Sequence, residues 1–596
     1  MNAITVDRAN SHGENHSVAR FKTSEVLPTT IWKLADKDPS LQQELIRELN
    51  VHPILANLLI SRRIHNVDDA KKFLNPSLSD LHNPFLMKDM KIGVERVAQA
   101  IHRGEYIAIY GDYDADGITS VVVLLKFFLQ IYSKVMYHIP DRLKDGYGLH
   151  NKEIDRLKES GVSLIITVDC GISDNQQIAY ARSLGIDVII LDHHEVPAVL
   201  PVALAIINPL RPDCPFPFKH NAAVGIAFNF LIAMRAVLRR EGFWRDKPYP
   251  NLRDYLDLVA IGTIGDIVPL IDENRIYAHV GLELMTEARR TGIRALKSAC
   301  GMDDHIIDSS SASFSLIPRI NAAGRVASPG DAVRLLLTED PLIAIETARK
   351  LDAYNRKRQT IEKSIYQEIL ESMDFDSENK HGCFIFSSKN WHPGVIGIVA
   401  SKLADRFCRP TILISLQDGI GKGSVRSVGN INIYEGLKKR DSLLISYGGH
   451  QYAAGISIFE EHIEEFYRLL DEDLKNISDE YDFVSRTVID ASCSLSDINL
   501  SLIRELEKLS PFGNQNPEPV LQSRSVRISS QAIVGNNHLK MQIHADNVSH
   551  PSIWFGKGHF SNVLAGKNID IVFTPQINEW NGISGIQLVI KDVTVQ

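Results

Sequence analysis

Hydrophobic and polar positions divide this chain into stretches of different period. Residues 1–27 are mixed and polar with no apolar face, which predicts a loose tail. Residues 28–90 show helical spacing, clearest in ELNVHPILANLLISRRI, with Asn75-Pro76 and Asn83-Pro84 as punctuation. They predict a small helical region. Beyond them, short β-branched runs alternate with helical patterns. Strands are predicted at 105–110, 134–139, 163–168 and 187–191, and helices at 118–131, 151–160 and 174–184. That alternation implies an α/β fold with a doubly wound parallel sheet. Residues 341–373 read as one long amphipathic helix, because Leu342, Ile345, Ala348, Leu351, Ile361, Ile365 and Ile369 recur at three- and four-residue spacing. Such a helix suits a connector between two lobes. A second α/β lobe follows to residue 470. The C-terminal region holds short strands (SVRISSQAIVG, HLKMQIHA, PSIWFG, IDIVFTPQI, GIQLVIKDV) separated by turns, the pattern of a small all-β barrel. The expected division is 1–27, 28–90, 91–340, 341–375, 376–470 and 471–596.

Composition narrows the function classes. A chain of 596 residues exceeds one hydrophobic core, and about three to five domains are expected. The net charge of −8 argues against indiscriminate coating of nucleic acid. It leaves room for a local basic groove, since the distribution of charge steers a polyanion. Cys170, Cys214, Cys300, Cys383, Cys408 and Cys493 are scattered without a C-x-x-C pair, which suits a reducing cytosol and offers no zinc or disulfide framework. Residues 1–25 lack an apolar signal core. The longest apolar run, 222–234, contains Asn229 and stops at Arg235, short of the roughly 20 residues a membrane span needs. A soluble, cytoplasmic protein with no membrane segment is expected.

The chemistry concentrates in IAIYGDYDADGITS, residues 107–120. Asp112, Asp114 and Asp116 alternate and Gly117 follows, which is how a calcium-binding EF-hand loop begins. That reading fails twice: the twelfth position is Val123, not a carboxylate, and the preceding element is a strand. Three carboxylates so close repel unless a cation or hydrogen bonds compensate. On the triplet alone a solvated acidic turn stays open. Its neighbours add weight to the metal reading. In a doubly wound sheet ligands bind at the carboxyl ends of strands. Here 163–168 ends in Asp169 and 187–191 ends in Asp192, His193 and His194, while IGTIGDIVPL places Asp266 in a glycine-flanked turn. A lone strand-end aspartate is usually a helix cap. Their joint occurrence on one sheet edge is far less probable by chance. Carboxylates with one or two imidazoles suit Mn²⁺ or Mg²⁺, and a bridged pair of ions about 4 Å apart suits displacement at phosphorus.

DADG, VDCG, LDHH and IGTIGDIVPL resemble the four motifs of the DHH phosphoesterase superfamily, and GGHQYAAG (448–455) resembles its DHH-associated domain. IPDRLKDGYGLH, PRINAAGR, WHPGVIGIVASKL, GSVRS and LSPFGNQNPEP narrow the resemblance to the single-strand-specific 5′→3′ DNA exonucleases of that superfamily, from about residue 50 to the end. The resemblance implies two lobes, DHH (91–340) and DHH-associated (376–470), joined by the long helix and followed by an OB-fold-like barrel that holds single-stranded DNA. It implies Asp114, Asp116, Asp169, His193 and Asp266 as ligands of Mn²⁺ or Mg²⁺, with Asp112 and Asp192 orienting them. It gives His194 and His450 a contact with the scissile phosphate, and makes Arg142, Arg319, Arg325, Ser424 and Arg426 candidates for other DNA phosphates. It also implies release of 5′-mononucleotides in DNA repair and recombination. The expected partners are single-stranded DNA-binding protein and a RecQ-type helicase, and the chain is expected to be a monomer. Arg349, Lys350, Arg356, Lys357, Arg358 and Lys363 of the long helix are expected to line a basic groove too narrow for a duplex.

Two departures stand out. Some relatives carry a histidine where this chain has Tyr110, so the site must manage without that ligand. The barrel-entry motif usually has a second glycine where Gln515 stands. Two other functions compete. One is a related phosphoesterase acting on pyrophosphate, cyclic dinucleotides or short oligonucleotides; such enzymes are generally shorter and lack the barrel. The other is a DNA-binding replication scaffold that has lost its metals, against which the complete ligand set argues.

Overall fold

A computed structural model describes residues 4–5, 30–142, 144–373, 381–429, 431–477, 480–545, 547–580 and 583–596. The chain forms two compact units: residues 71–358 with 509–517, and residues 1–70 with 359–508 and 518–596.

The first unit is built on a five-stranded, all-parallel sheet. Its spatial order is Val135–His138, Tyr106–Tyr110, Val162–Val168, Asp187–Leu191 and Ala205–Ile207. Register pairs Ile107 with both Val135 and Leu164, Leu164 with Asp187, and Ile189 with Ala205. The three central strands are mostly apolar because both of their faces are buried. Ile107, Ile109, Leu164, Ile166, Ile189 and Leu191 pack under helices Met90–Arg103, Ala115–Ile131, Ala223–Arg240 and Leu256–Gly265. Ala108, Tyr110, Ile165, Val188 and Ile190 point the other way, onto Asn151–Glu159 and Asn175–Ser183. The last strand, Ala205–Ile207, is only three residues long, too short for a periodic signal.

The second unit holds a six-stranded mixed sheet in the order Ile4–Thr5, Phe384–Ser388, Thr411–Gln417, Ile420–Arg426, Ala453–Phe459 and Leu444–Gly449. It also holds a barrel, Leu521–Val534, His538–Ala545, Val548–Trp554, Asn568–Trp580 and Ile583–Val595, closed by antiparallel pairing of the first with Asn568–Trp580. Helix Pro341–Ser372 is continuous over 32 residues.

Two expectations need correction or fall outside the described chain. Within residues 28–90, read as helical, Thr30–Leu34 is a strand paired in parallel with Ser485–Ile489. Its partner lies so far along the chain that no local pattern reveals it. The tail expected at 1–27 lies outside the described residues apart from Ile4–Thr5. Among the described residues no helix is long and apolar enough to cross a membrane.

Candidate metal centre

The first strand of the parallel sheet runs straight into the aspartate triplet. Asp114 is the N-cap of helix Ala115–Ile131: its Oδ1 accepts from the backbone N–H of Asp116 (2.9 Å) and Gly117 (3.2 Å). The bland reading of a strand-end aspartate is therefore true of one oxygen, and the other stays available. Gly117 is required because a Cβ there would lie 2.6 Å from the Asp112 carbonyl oxygen. Asp116, in the first turn, is 1% exposed. Its carboxylate accepts from the N–H of Ala223 (2.7 Å) and Val224 (2.8 Å), the first residues of helix Ala223–Arg240, whose dipole favours a negative charge there.

Asp169 follows the third strand in a left-handed conformation, φ +60°. Its Oδ1 lies 3.2 Å from His193 Nε2, and Asp266 Oδ2 lies 3.6 Å from His193 Nδ1. Asp192 is fully buried. Its Oδ1 accepts from the N–H of His193 (2.8 Å) and His194 (3.1 Å) and pairs with His194 Nδ1 (2.7 Å), while Oδ2 accepts from Ile172 N–H (3.0 Å). It is thus an orienting group with little left to offer an ion. Asp266 stands in the expected turn, where it ends helix Leu256–Gly265, its N–H donating to the Gly262 carbonyl. The glycines of IGTIGD serve close packing: a Cβ on Gly262 would stand 2.4 Å from Thr119 Oγ1 and 2.9 Å from Asp116 Oδ1.

Three overlapping groups have ligand atoms within 4.8 Å of one another: Asp169, His193 and His194; Asp116, His193 and Asp266; Asp112, Asp114 and Asp169. The electrostatics fit a cationic guest. Burial, then mutual repulsion, pushes Asp112 and Asp169 far above the usual carboxyl range, Asp116 to about 7 and Asp266 to about 8. Asp112 Oδ1 and His193 Nε2 are buried without a hydrogen bond among the described residues. Burial, then the neighbouring His194 charge, depresses His193 and keeps its imidazole neutral, as ligation requires. For His194, burial opposes the charge, but the bond to Asp192 and nearby carboxylates outweigh it and lift the imidazole to about 9. The same bond, against burial, holds Asp192 below the ordinary range. Hard oxygens with imidazole nitrogen suit Mn²⁺ or Mg²⁺.

The expected phosphate contacts divide. Arg142 lies over the Tyr113 ring at 5.0 Å, and Arg325 also acts electrostatically on that phenol. Arg319 is already engaged, donating to Asp352 (3.0 and 2.9 Å) and to the Ser315 carbonyl. In the second unit Ser424 and Arg426 share a face of one strand, with Arg426 donating to Ser424 Oγ (3.2 Å) and Ser401 Oγ (3.1 Å). His450 is exposed beyond strand Leu444–Gly449. On the long helix, Lys350 pairs with Asp331, Arg356 with Asp352, and Arg358 donates to Asn355, while Arg349, Lys357 and Lys363 are exposed.

Sequence reasoning missed several supports. Asn321 Oδ1 accepts from Ala115 N–H (2.8 Å), and a Cβ on Gly324 would meet the Tyr113 carbonyl at 2.2 Å. Both lie in PRINAAGR, where only the arginines drew notice. Gln515 adopts φ +57°, which explains why glycine suits that position.

Comparison with known proteins agrees with this geometry. The DHH family N-terminal domain profile matches residues 106–263, the DHHA1 domain 380–476 and the RecJ OB domain 489–592. The single-stranded-DNA-specific exonuclease RecJ of Bacillus subtilis is 38% identical over 569 residues, covering 95% of this chain and 71% of that protein. The Escherichia coli protein of the same name is 33% identical, covering 91% and 96%. The crystal structure of Thermus thermophilus RecJ with Mn²⁺ superposes at a TM-score of 0.81 with 27% identity, covering 95% of this chain and 79% of that one; its Mg²⁺ complex gives 0.75, again at 27% identity, covering 95% and 78%. With its own acid and imidazole cluster already in place, the chain belongs to the RecJ family of metal-dependent, single-stranded-DNA-specific exonucleases.

Proposed function

We propose that this chain removes 5′-mononucleotides one at a time from single-stranded DNA, in the 5′→3′ direction, in the cytoplasm. The observation that carries this reading is the overlap of the three ligand groups through Asp169 and His193, a layout for two adjacent divalent ions. Such ions, when bound, supply Lewis acidity and a hydroxide-like nucleophile near neutral pH. The chain's own residues do the rest. Asp114, Asp116, Asp169, His193 and Asp266 hold the ions, and Asp192 fixes the two histidines. His194, charged at neutral pH and tied at Nδ1, keeps Nε2–H for a phosphoryl oxygen, where it stabilises developing charge. Asp112, whose Oδ1 is buried without a hydrogen bond among the described residues, lies beside Asp114 and Asp169 and is assigned to orient them. Arg142 and Arg325, and in the second unit Ser424, Arg426 and His450, are assigned to DNA phosphates. The barrel is assigned to strand retention by stacking and backbone charge. The family resemblance supports cooperation with single-stranded DNA-binding protein and a RecQ-type helicase by a monomeric enzyme.

The test uses single-stranded DNA labelled at either end, duplex DNA and pyrophosphate, each with Mn²⁺ or Mg²⁺. The 5′ label should leave at once as a mononucleotide and the 3′ label only late. Release from duplex alone, or turnover of pyrophosphate but not of DNA, would reject this reading.

A further inference from the structure

The Gly-Tyr-Gly turn at residues 146–148 has no part in the roles above, yet it is pinned on several sides. Gly146 and Gly148 adopt φ of +91° and +88°, conformations that residues with side chains rarely take. A Cβ on Gly148 would also stand 2.8 Å from Asp174 Oδ1. The buried Tyr110 hydroxyl donates to the Gly148 carbonyl (3.2 Å), and Leu149 N–H donates to Asp174 Oδ2 (3.1 Å). Held this way, Tyr147 reaches two members of the candidate centre. Its hydroxyl donates to the Asp169 carbonyl (2.9 Å) and lies 3.4 Å from His194 Nδ1. Its ring meets the His194 imidazole edge-on, centroids 5.8 Å apart at 68°. Asp169 is the residue with φ +60°, a conformation that persists only where its surroundings enforce it.

We propose that Tyr147 is a positioning residue for the metal centre: its hydroxyl holds Asp169 in the left-handed conformation that presents the carboxylate to His193, and its ring fixes the plane of His194. Tyr110 acts one step further out, bracing the turn that carries Tyr147. The inference rests on the metal-centre reading. Tyr147 is 49% exposed, so its variants should fold.

The experiment is Mn²⁺ titration by calorimetry without DNA on the full chain, beside kcat and KM for single-stranded DNA and the melting temperature of the metal-free chain. Tyr147→Phe keeps the ring and loses the hydroxyl. It should weaken Mn²⁺ binding about tenfold, the low end of the range for groups that orient ligands, and lower kcat, while KM and metal-free melting stay near wild type. Tyr147→Ala should lower kcat further, and Tyr110→Phe should give a smaller loss in the same direction. Mn²⁺ affinity within about twofold of wild type in Tyr147→Phe, or a change confined to KM, would overturn the proposal. Asp169→Ala serves as the reference. If it binds Mn²⁺ as wild type does, the metal-centre reading fails and this inference falls with it. If it loses Mn²⁺ and Tyr147→Phe does not, the inference alone fails.

Discussion

The two sheets of this protein present chemistry in opposite ways. In the parallel sheet every strand ends at the same edge. Apolar strands therefore deliver Asp112 to Asp116, Asp169 and Asp192 to His194 along one line, and flanking helices shield them from water. In the mixed sheet Ser424 and Arg426 alternate along an antiparallel strand, partly exposed, and share one face. The parallel edge gathers like charge where burial amplifies it, and so calls for cations. The antiparallel ladder spreads neutral and cationic donors, and so suits an anion. Strand direction alone sets much of this difference.

The largest test of the contrast is kinetic. Asp169→Ala should cut kcat by about a thousandfold or more, because it removes a carboxylate shared by two of the ligand groups. Arg426→Ala should act mainly on KM, by about tenfold, as loss of a binding contact. Equal falls in kcat for both would erase the distinction. Next in size is Gly262→Ala. Its methyl would enter the space of Thr119, Val224 and Asp116. A loss of about 1–3 kcal/mol in denaturant unfolding is expected, with weaker Mn²⁺ binding. The smallest effect is a pH trend. Asp116, near 7, and Asp266, near 8, lie above the value of a carboxyl in an unfolded chain. Between roughly pH 4 and 8 the folded chain therefore holds protons that the unfolded chain has lost, and metal-free stability falls as pH rises through that window. Melting scans should show a decline of a few degrees, and with Mn²⁺ in excess the slope should flatten, since binding displaces those protons. A metal-free chain that gains stability over the same range would contradict the buried-charge account.

What the sequence revealed of the site followed from physical range. The strand at 187–191 was legible residue for residue, because four successive apolar positions, Val188 to Leu191, between polar neighbours need no distant partner. The barrel strands were legible for the same reason. Thr30–Leu34 was not, since its ladder partner is remote. The turn at Asp266 was legible but the role of its glycines was not, because glycine carries two signals in sequence, freedom of φ and tolerance of close contact, and only the packed structure separates them. Gly262 and Gly265 use the second: a Cβ on Gly265 would stand 3.0 Å from that of Ala115. The candidate cluster could be named because acids and histidines fall together at several strand ends, and the family resemblance then separated ligands from orienting groups. Asn321 and Tyr147 escaped because they act through backbone atoms of other residues, which leaves no spacing to read.

The pairing of Thr30–Leu34 with Ser485–Ile489 has a consequence for how the protein is made. A ribosome adds about 5–20 residues each second, so the early strand waits on the order of 20–90 s before its partner emerges. Residues 71–358, which supply nearly all of the first unit, are complete well before that moment. The catalytic half can thus be assembled while the unit that encloses both chain ends is still being synthesised. A permuted chain that starts near residue 71 and runs from residue 596 into residue 1 would shorten the wait and leave the metal centre's own order of assembly unchanged.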